Sequence, residues 1–288
     1  MIRPGPIHLL VFAASFAMVG ICTALALNGG ANPLTVVTLR TLGTVLLFIL
    51  YFLVQGISFS MSLRDRLIAC AIGIPLCVNN YLINSAIAEI PVPLVVLIFY
   101  LWPAITGAAS WVLGKEPFRW RGLAGLAAAF AGVALALNVD FTAAQAKGVW
   151  LAAGAAVLWS VTFMLTSHFF HGRDTRAPTL AMMLTAAGVF VIACLATGDV
   201  QLPATAPGWT GAIGTAVFYA FGMIGIFAAS ARIGPTRTGF FMNFEPIAAV
   251  LLAALILGQT LAPIQLAGAA LVVAALFLFR PPATGPSE

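Results

Sequence analysis

Long apolar runs separated by short polar breaks set the strongest limit on how this chain can fold. Runs of about 17 to 25 residues, each long enough for a helix to cross a bilayer, recur along the 288 residues. The ten predicted spans are 7–29, 33–55, 66–88, 91–113, 120–138, 148–168, 177–198, 208–230, 235–257 and 262–280. A content of 62% hydrophobic and 7% charged residues, with a mean hydropathy of +1.07, excludes a soluble globular domain. The sequence therefore predicts an all-α integral membrane protein with ten transmembrane helices.

Basic residues concentrate in alternate loops. Eleven of the 13 Lys and Arg residues fall in the two tails or in the loops that follow predicted spans 2, 4, 6 and 8. The opposite loops hold Lys147, and Arg40 lies inside the second span. Because basic loops are retained in the cytoplasm, both termini are predicted to be cytoplasmic, with the protein in the cell (inner) membrane. The net charge of +5 is spread over these loops and forms no single basic face, so nucleic acid is not an expected partner.

The two halves of the chain repeat with a shift of 143 residues. Eight residues recur without a gap, including Pro103 at Pro246, and the borders of the spans match as well. The sequence thus predicts two repeats, 1–143 and 144–288. Five spans in each half are an odd number, which turns the second half upside down and makes an inverted-topology repeat. Inverted repeats are typical of secondary transporters, whose substrate site lies near the bilayer midplane where the halves meet.

Polar and aromatic groups interrupt the fourth and ninth spans at matching positions. The two strings are Tyr100-Leu101-Trp102-Pro103 and Asn243-Phe244-Glu245-Pro246. The shift aligns Tyr100 with Asn243 and Trp102 with Glu245, roughly ten residues into each span and so about 15 Å deep, near the middle of a ~30 Å core. An ionisable group at that depth is costly and marks a functional site. The two strings are predicted to line one cavity, with Pro103 and Pro246 as helix hinges.

The third and sixth spans add further polar and aromatic side chains to this cavity. Asn80 and Asn84 lie on one helical face, and Pro75, one turn earlier, is predicted to be a third hinge. Trp159 and Phe163 form an i,i+4 pair that supplies an aromatic wall. Ring faces attract aromatic or cationic guests, and the ammonium and carboxylate of an amino acid need polar partners. The predicted substrate-binding residues are Asn79, Asn80, Tyr81, Asn84, Tyr100, Trp102, Trp159, Phe163, Asn243 and Glu245.

Structural roles are open for several of these residues. Asparagine in a membrane helix often links neighbouring helices, and Glu245 is equally interpretable as a hydrogen-bonded structural carboxyl. Arg40 lies about seven residues into its span, and snorkelling to the outer surface is favoured over substrate binding. The four cysteines lie in apolar spans without metal-type spacing, so no metal or cofactor is expected.

These features resemble those of the drug/metabolite transporter superfamily in its ten-helix, EamA-type form. The resemblance rests on Thr38-Leu39-Arg40, Pro103, Glu245-Pro246, Gly114-Lys115-Glu116, Gly258-Gln259, Gly125 and Gly268. Gln259 stands where the family usually has an acid. Within the superfamily the chain looks most like YddG-type exporters of aromatic amino acids, on account of Tyr81, Tyr100, Trp102 and Trp159. The resemblance implies a secondary transporter that exports small metabolites, aromatic and other amino acids first, by alternating access.

Energy coupling has two interpretations. Proton-driven exchangers place titrating groups within the membrane, and the spans offer Glu245, with Glu89 near the outer boundary. This scarcity favours facilitated transport, while proton-coupled export of drugs, purines or other amphipathic metabolites is the alternative. An enzyme would need paired acids or metal ligands at helical spacing, and the spans contain none. The expected partners are a small-molecule substrate and membrane lipid, and a monomer is possible.

Overall fold

The computed structural model describes residues 6–112, 124, 127–128, 131–132, 135, 143–170, 173–233, 244–259 and 262–278. Within these residues all regular structure is helical, which confirms the predicted all-α class. The helices are α1 (Pro6–Asn28), α2 (Pro33–Gln55), α3 (Leu63–Glu89), α4 (Val92–Phe99), α5 (Trp102–Val112), α6 (Ala143–Phe170), α7 (Arg176–Thr197), α8 (Ala206–Ile233), α9 (Glu245–Leu257) and α10 (Pro263–Leu278). Asn243, Gly125, the 114–116 segment and most of the predicted fifth span lie outside the described residues.

Several helices have the length and apolarity of membrane spans. Among the described residues these are Val11–Asn28, Pro33–Gln55, Leu63–Glu89, Ala146–Phe170 and Arg176–Thr197. Each lies within a few residues of a span predicted from the sequence. Together they confirm the integral membrane class.

Local sequence explains where the first helices begin and end. The Asn32 side chain accepts a hydrogen bond of 2.8 Å from the Thr35 amide, and Pro33 occupies the first turn, where its missing N–H costs nothing. Gly56 closes α2 with a left-handed φ of 63°, a conformation that glycine adopts without strain. Ser62 caps α3 by accepting from the Asp65 amide at 3.1 Å. These polar caps keep the breaks between spans short.

The predicted fourth span, 91–113, is two helices rather than one. The helix stops after Phe99, turns at Tyr100 and Leu101, and begins again at Trp102. Pro103 is the second residue of α5 and has no N–H to donate to the preceding turn. Glu245 starts α9 in the same way, directly before Pro246. Trp102 and Glu245, which the repeat aligns, therefore both begin a helix.

The helix packing follows the repeat. A shift of 143 moves α3 from 63–89 to 206–232, and α8 is observed at 206–233. The same shift moves α1 onto α6. The largest packed pairs are α1 with α8 and α3 with α6, and the shift exchanges one pair for the other. This exchange is the packing that a two-fold relation between the halves produces. The division into 1–143 and 144–288 stays a prediction.

Glycine permits the close approach of α1 and α8. A Cβ atom added at Gly211 would lie 2.5 Å from the backbone oxygen of Cys22. One added at Gly214 would lie 2.8 Å from the Cys22 Sγ. Small residues at such crossings let two backbones touch and gain dispersion contacts. The α1–α8 pair thus forms one closely packed wall of the bundle, and α3–α6 forms the other.

Candidate functional site

A hydrogen bond joins the two strings that interrupt the fourth and ninth spans. The Tyr100 hydroxyl donates to Glu245 Oε2 at 2.8 Å. Tyr100 is buried, at 3% exposure, in the turn between α4 and α5. Glu245 is the first residue of α9. The structure therefore brings together one residue from each half of the repeat.

Aromatic rings border the break between α4 and α5. The Phe99 and Trp159 rings have centroids 6.0 Å apart, and those of Trp102 and Phe163 are 5.2 Å apart. Phe163 is 44% exposed, so part of its ring is open beyond this contact. The Ser160 hydroxyl donates to the Trp102 carbonyl at 2.9 Å, which satisfies a backbone group near the break. Two of the predicted aromatic residues on α6 thus lie against the broken span.

Arg40 lies inside the bundle, and the expectation that it snorkels to the surface is wrong. Its side chain is 3% exposed, and its Cζ lies 4.8 Å from the centroid of the Tyr219 ring on α8. A desolvated cation over a ring face gains about 2 kcal/mol, so the interior offers a partner that a surface position would lack. Within the described residues, Arg40 Nε and Nη2 are buried without a hydrogen-bond partner.

Tyr219 connects Arg40 to the rest of the site. Its side chain lies next to Asn80 and within electrostatic range of Glu245. The Phe16 ring meets it edge-on, with centroids 5.9 Å apart. We call Arg40, Asn80, Tyr100, Tyr219 and Glu245 the polar cluster. Tyr219 was not predicted, because it aligns with Leu76 in the first half and the repeat gives no signal there. A hydroxyl deep in an apolar span was the one available indication.

The other asparagines of α3 hold helices together. Asn79 donates to the Ala155 carbonyl of α6 at 2.6 Å. Asn84 donates to the Asn80 carbonyl at 2.6 Å and accepts from the Thr23 hydroxyl of α1 at 3.4 Å. Of the three, Asn80 is the one whose side chain lies in the polar cluster.

The remaining predicted residues lie elsewhere. Tyr81 is 42% exposed and lies on the side of α3 that is near Lys147, away from the polar cluster. Pro75 sits inside α3, which is continuous across it. Pro246 is the second residue of α9, as Pro103 is of α5, so these two prolines lie in the first turn of a helix. Asn243 lies outside the described residues.

Ion pairs tie α3 to the ends of α6. Arg173, just after α6, donates to both carboxylate oxygens of Asp65 at the start of α3, at 3.0 and 2.6 Å. Lys147 in the first turns of α6 pairs with Glu89 at the end of α3. The Asp65 carboxylate raises the pKa of the Arg173 guanidinium, so this pair stays charged at neutral pH. The two helices are antiparallel and linked at both ends.

Comparison with known proteins gives three findings. The sequence matches the EamA-like transporter family over residues 3–138 and 146–280. The threonine/homoserine exporter RhtA of Escherichia coli K12 is 30% identical over 286 residues, covering 95% of this chain and 92% of that protein. RhtA of Salmonella typhimurium LT2 is 30% identical over 287 residues with the same coverage. A solved crystal structure superposes with a TM-score of 0.67 at 18% identity, covers 94% of each chain, and supports the fold alone.

Proposed function

The chain belongs to the EamA-like transporter family, and on that premise we propose that it exports amino acids from the cytoplasm through the polar cluster. It is a multi-pass membrane transporter and not an enzyme. Its relatives of 30% identity are named threonine/homoserine exporters, which supports amino acids as the substrate class. The cytoplasmic position of both termini belongs to the proposal and is supported by the basic loops. The outward direction also belongs to it and is supported by the name of these relatives.

The observation that carries the proposal is the hydrogen bond between Tyr100 and Glu245. It holds a carboxylate from the second half of the repeat against a tyrosine of the first half, in the turn next to the paired rings of Trp102 and Phe163. A carboxylate is the natural counter-charge for an ammonium group, and charge-assisted bonds are the stronger kind. An amino acid presents an ammonium at one end and a side chain at the other. We therefore place the ammonium at Glu245 and the side chain against the rings.

The rings favour substrates with flat or apolar side chains. Trp102 and Phe163 form one ring pair and Phe99 and Trp159 another, both beside the broken span. Aromatic contacts add about 0.5–1.5 kcal/mol each beyond area burial. The proposed substrates are aromatic amino acids together with small neutral ones such as threonine and homoserine.

Alternating access follows from the repeat. Halves of similar shape exchange conformations and so expose one central site to either side in turn. We propose facilitated transport, because few acids are available to carry a proton across the membrane. Glu89 pairs with Lys147 at the helix ends, and Glu245 is the carboxylate of the polar cluster. Proton-coupled export, with Glu245 as the proton carrier, is the alternative that the presence of a buried acid keeps open.

Flux into proteoliposomes tests the proposal. The purified protein is assayed with Phe, Trp, Thr and homoserine, with putrescine as a cation that lacks a carboxylate. We expect saturable amino-acid flux that is unchanged by an imposed pH gradient. Flux that depends on the gradient and carries protons would establish the coupled alternative. Absence of amino-acid flux under every gradient would overturn the substrate assignment.

A further inference from the structure

We propose that Arg40, Tyr219 and Asn80 form a receptor for the substrate's carboxylate, so that the transported species is a zwitterion with a free carboxylate. This inference rests on the proposed function and names the second half of the same site. The carrying observation is a set of buried donors without acceptors. Among the described residues these are Arg40 Nε, Arg40 Nη2, Asn80 Nδ2 and Ser85 Oγ, of which the first three belong to the polar cluster.

The geometry of Arg40 selects a carboxylate. Nε and Nη2 share one edge of the guanidinium, and their parallel N–H bonds match the two oxygens of a carboxylate. The ring of Tyr219 supports the guanidinium from its face, with the Cζ atom 4.8 Å from the centroid. This contact leaves the edge free for an in-plane ligand. A point cation such as lysine would not present such an edge.

No carboxylate among the described residues forms an ion pair with Arg40. The ion pairs of the described residues join Lys147 to Glu89, Arg173 to Asp65 and Arg176 to Asp174, all at or near helix ends. Glu245 accepts from Tyr100 instead. A buried guanidinium with unmade hydrogen bonds is costly, and an anionic ligand would remove that cost.

Asn80 and Tyr219 place the donors in one location. Asn80 lies next to Tyr219, and Arg40 covers the ring of the same residue. Tyr219 is also within electrostatic range of Glu245. Arg40 lies over the ring of Tyr219, and Glu245, which accepts from Tyr100, is the negative group of the same polar cluster. A zwitterion fits both charges whatever its side chain, so the same two groups would serve the ends of threonine and of phenylalanine.

Ligands that differ only at the carboxyl group test this receptor. Binding of L-phenylalanine, L-phenylalaninamide and phenethylamine to the purified protein is measured by titration calorimetry. A hydrogen-bonded charge pair of about 1.5–3 kcal/mol corresponds to roughly 10- to 100-fold in affinity, so the amide and the amine should bind at least ~10-fold more weakly than phenylalanine. In Arg40→Gln this preference should disappear.

Two variants serve as controls. Arg40→Lys keeps the positive charge and loses the edge formed by Nε and Nη2. It should retain only part of the preference for phenylalanine over the amide and the amine. Arg66→Gln changes an exposed arginine near the start of α3 and should leave the preference unchanged. If Arg40→Gln does not yield folded protein, the comparison of Arg40→Lys with the wild type over the same ligands tests whether Arg40 binds the carboxylate.

The outcomes separate this inference from the proposed function. Wild-type protein that transports amino acids yet binds phenylalanine and phenylalaninamide equally would overturn the carboxylate receptor and leave the exporter intact. A wild-type protein that neither binds nor transports amino acids would overturn the proposed exporter function itself. An unchanged preference in folded Arg40→Gln would assign the carboxylate to other residues.

Discussion

Glu245 and Tyr100 depend on each other for their position in the interior. The tyrosine hydroxyl donates to the carboxylate at 2.8 Å, and a glutamine in place of Glu245 would still accept that bond. Glu245→Gln therefore removes the charge and keeps the contact. We expect folded protein whose amino-acid flux falls at least ~10-fold, because the substrate ammonium loses a charge-assisted bond. Flux into proteoliposomes and monodispersity in detergent measure the two effects.

Tyr100→Phe is the matched control for that change. It removes the hydroxyl and leaves the carboxylate, so binding of the ammonium should weaken less than in Glu245→Gln. Equal flux in Glu245→Gln and wild type would show that the carboxylate does not touch the substrate.

Neighbouring asparagines on α3 should behave differently. Asn79 donates to the Ala155 carbonyl of α6 at 2.6 Å, so Asn79→Ala should lower the unfolding free energy by about 0.6 kcal/mol, the usual value of such a bond. Its flux per folded molecule should stay near that of the wild type. Asn80→Ala should keep the thermal stability and lose affinity for amino acids. Identical behaviour of the two variants in melting and flux assays would contradict the division of roles.

Sequence reasoning found part of the polar cluster and missed part of it. Tyr100 and Glu245 were identifiable because each stands beside a proline at a repeated position. Arg40 was assigned to the surface, and Tyr219 was overlooked. α8 is apolar on nearly every side, so its periodicity does not tell which side faces the interior. In α2 the buried residues include Arg40 and several threonines, and a lone arginine near a helix end is open to either interpretation. The rotation of such a helix is set by packing against its neighbours, which the sequence alone does not provide.

Among the elements, the broken fourth span shows what a proline signal can and cannot predict. Pro103 indicated an irregularity in the helix, but the sequence predicted one continuous helix, 91–113, with a hinge at this proline. The structure has two helices, with Trp102 at the start of the second. The second helix begins where a donor from elsewhere in the chain is available, because the Ser160 hydroxyl of α6 donates to the Trp102 carbonyl. The two residues are 58 positions apart in the sequence, so the residues around Trp102 do not predict this contact.

The α1–α8 crossing makes a prediction about stability. Gly211→Ala would place a methyl group 2.5 Å from the Cys22 backbone oxygen, and relief requires the helices to move apart. We expect a loss of about 1–3 kcal/mol in unfolding free energy, measured by denaturant unfolding in micelles.

Gly188→Ala in α7 is the control for that substitution. An added Cβ there meets nothing within 4 Å, and alanine is the better helix former by about 0.8–1.0 kcal/mol. It should be neutral or stabilising. Equal stability of the Gly211 variant and wild type would show that α1 and α8 are not held in close contact.

At the scale of the whole molecule, the topology is testable with single cysteines. In a background without the native cysteines, Gly172→Cys and Asp199→Cys follow successive membrane helices, α6 and α7. We expect a membrane-impermeant maleimide to label position 199 from outside intact cells and position 172 only after lysis. Labelling of both from one side would overturn the ten-helix arrangement.

The global architecture was the part most accessible to sequence. Hydropathy gave the spans, and the 143-residue shift gave the relation between halves that the α1–α8 and α3–α6 pairs display. The first signal arises from the bilayer, which requires long apolar helices and tolerates few alternatives, and the second from residues that match between the halves at a fixed spacing. The residues inside the bundle are less constrained by the bilayer, and there prediction was weaker.

The ion pairs at both ends of α3 and α6 link these two helices. We expect the two helices to move together during transport, so that the cavity opens along the seam where they meet the α1–α8 pair. A crosslink between cysteines at Glu89 and Lys147 should therefore leave flux intact. One between Thr23 and Asn84, which meet across the seam at 3.4 Å, should stop it until reduced, as timed flux before and after dithiothreitol would measure.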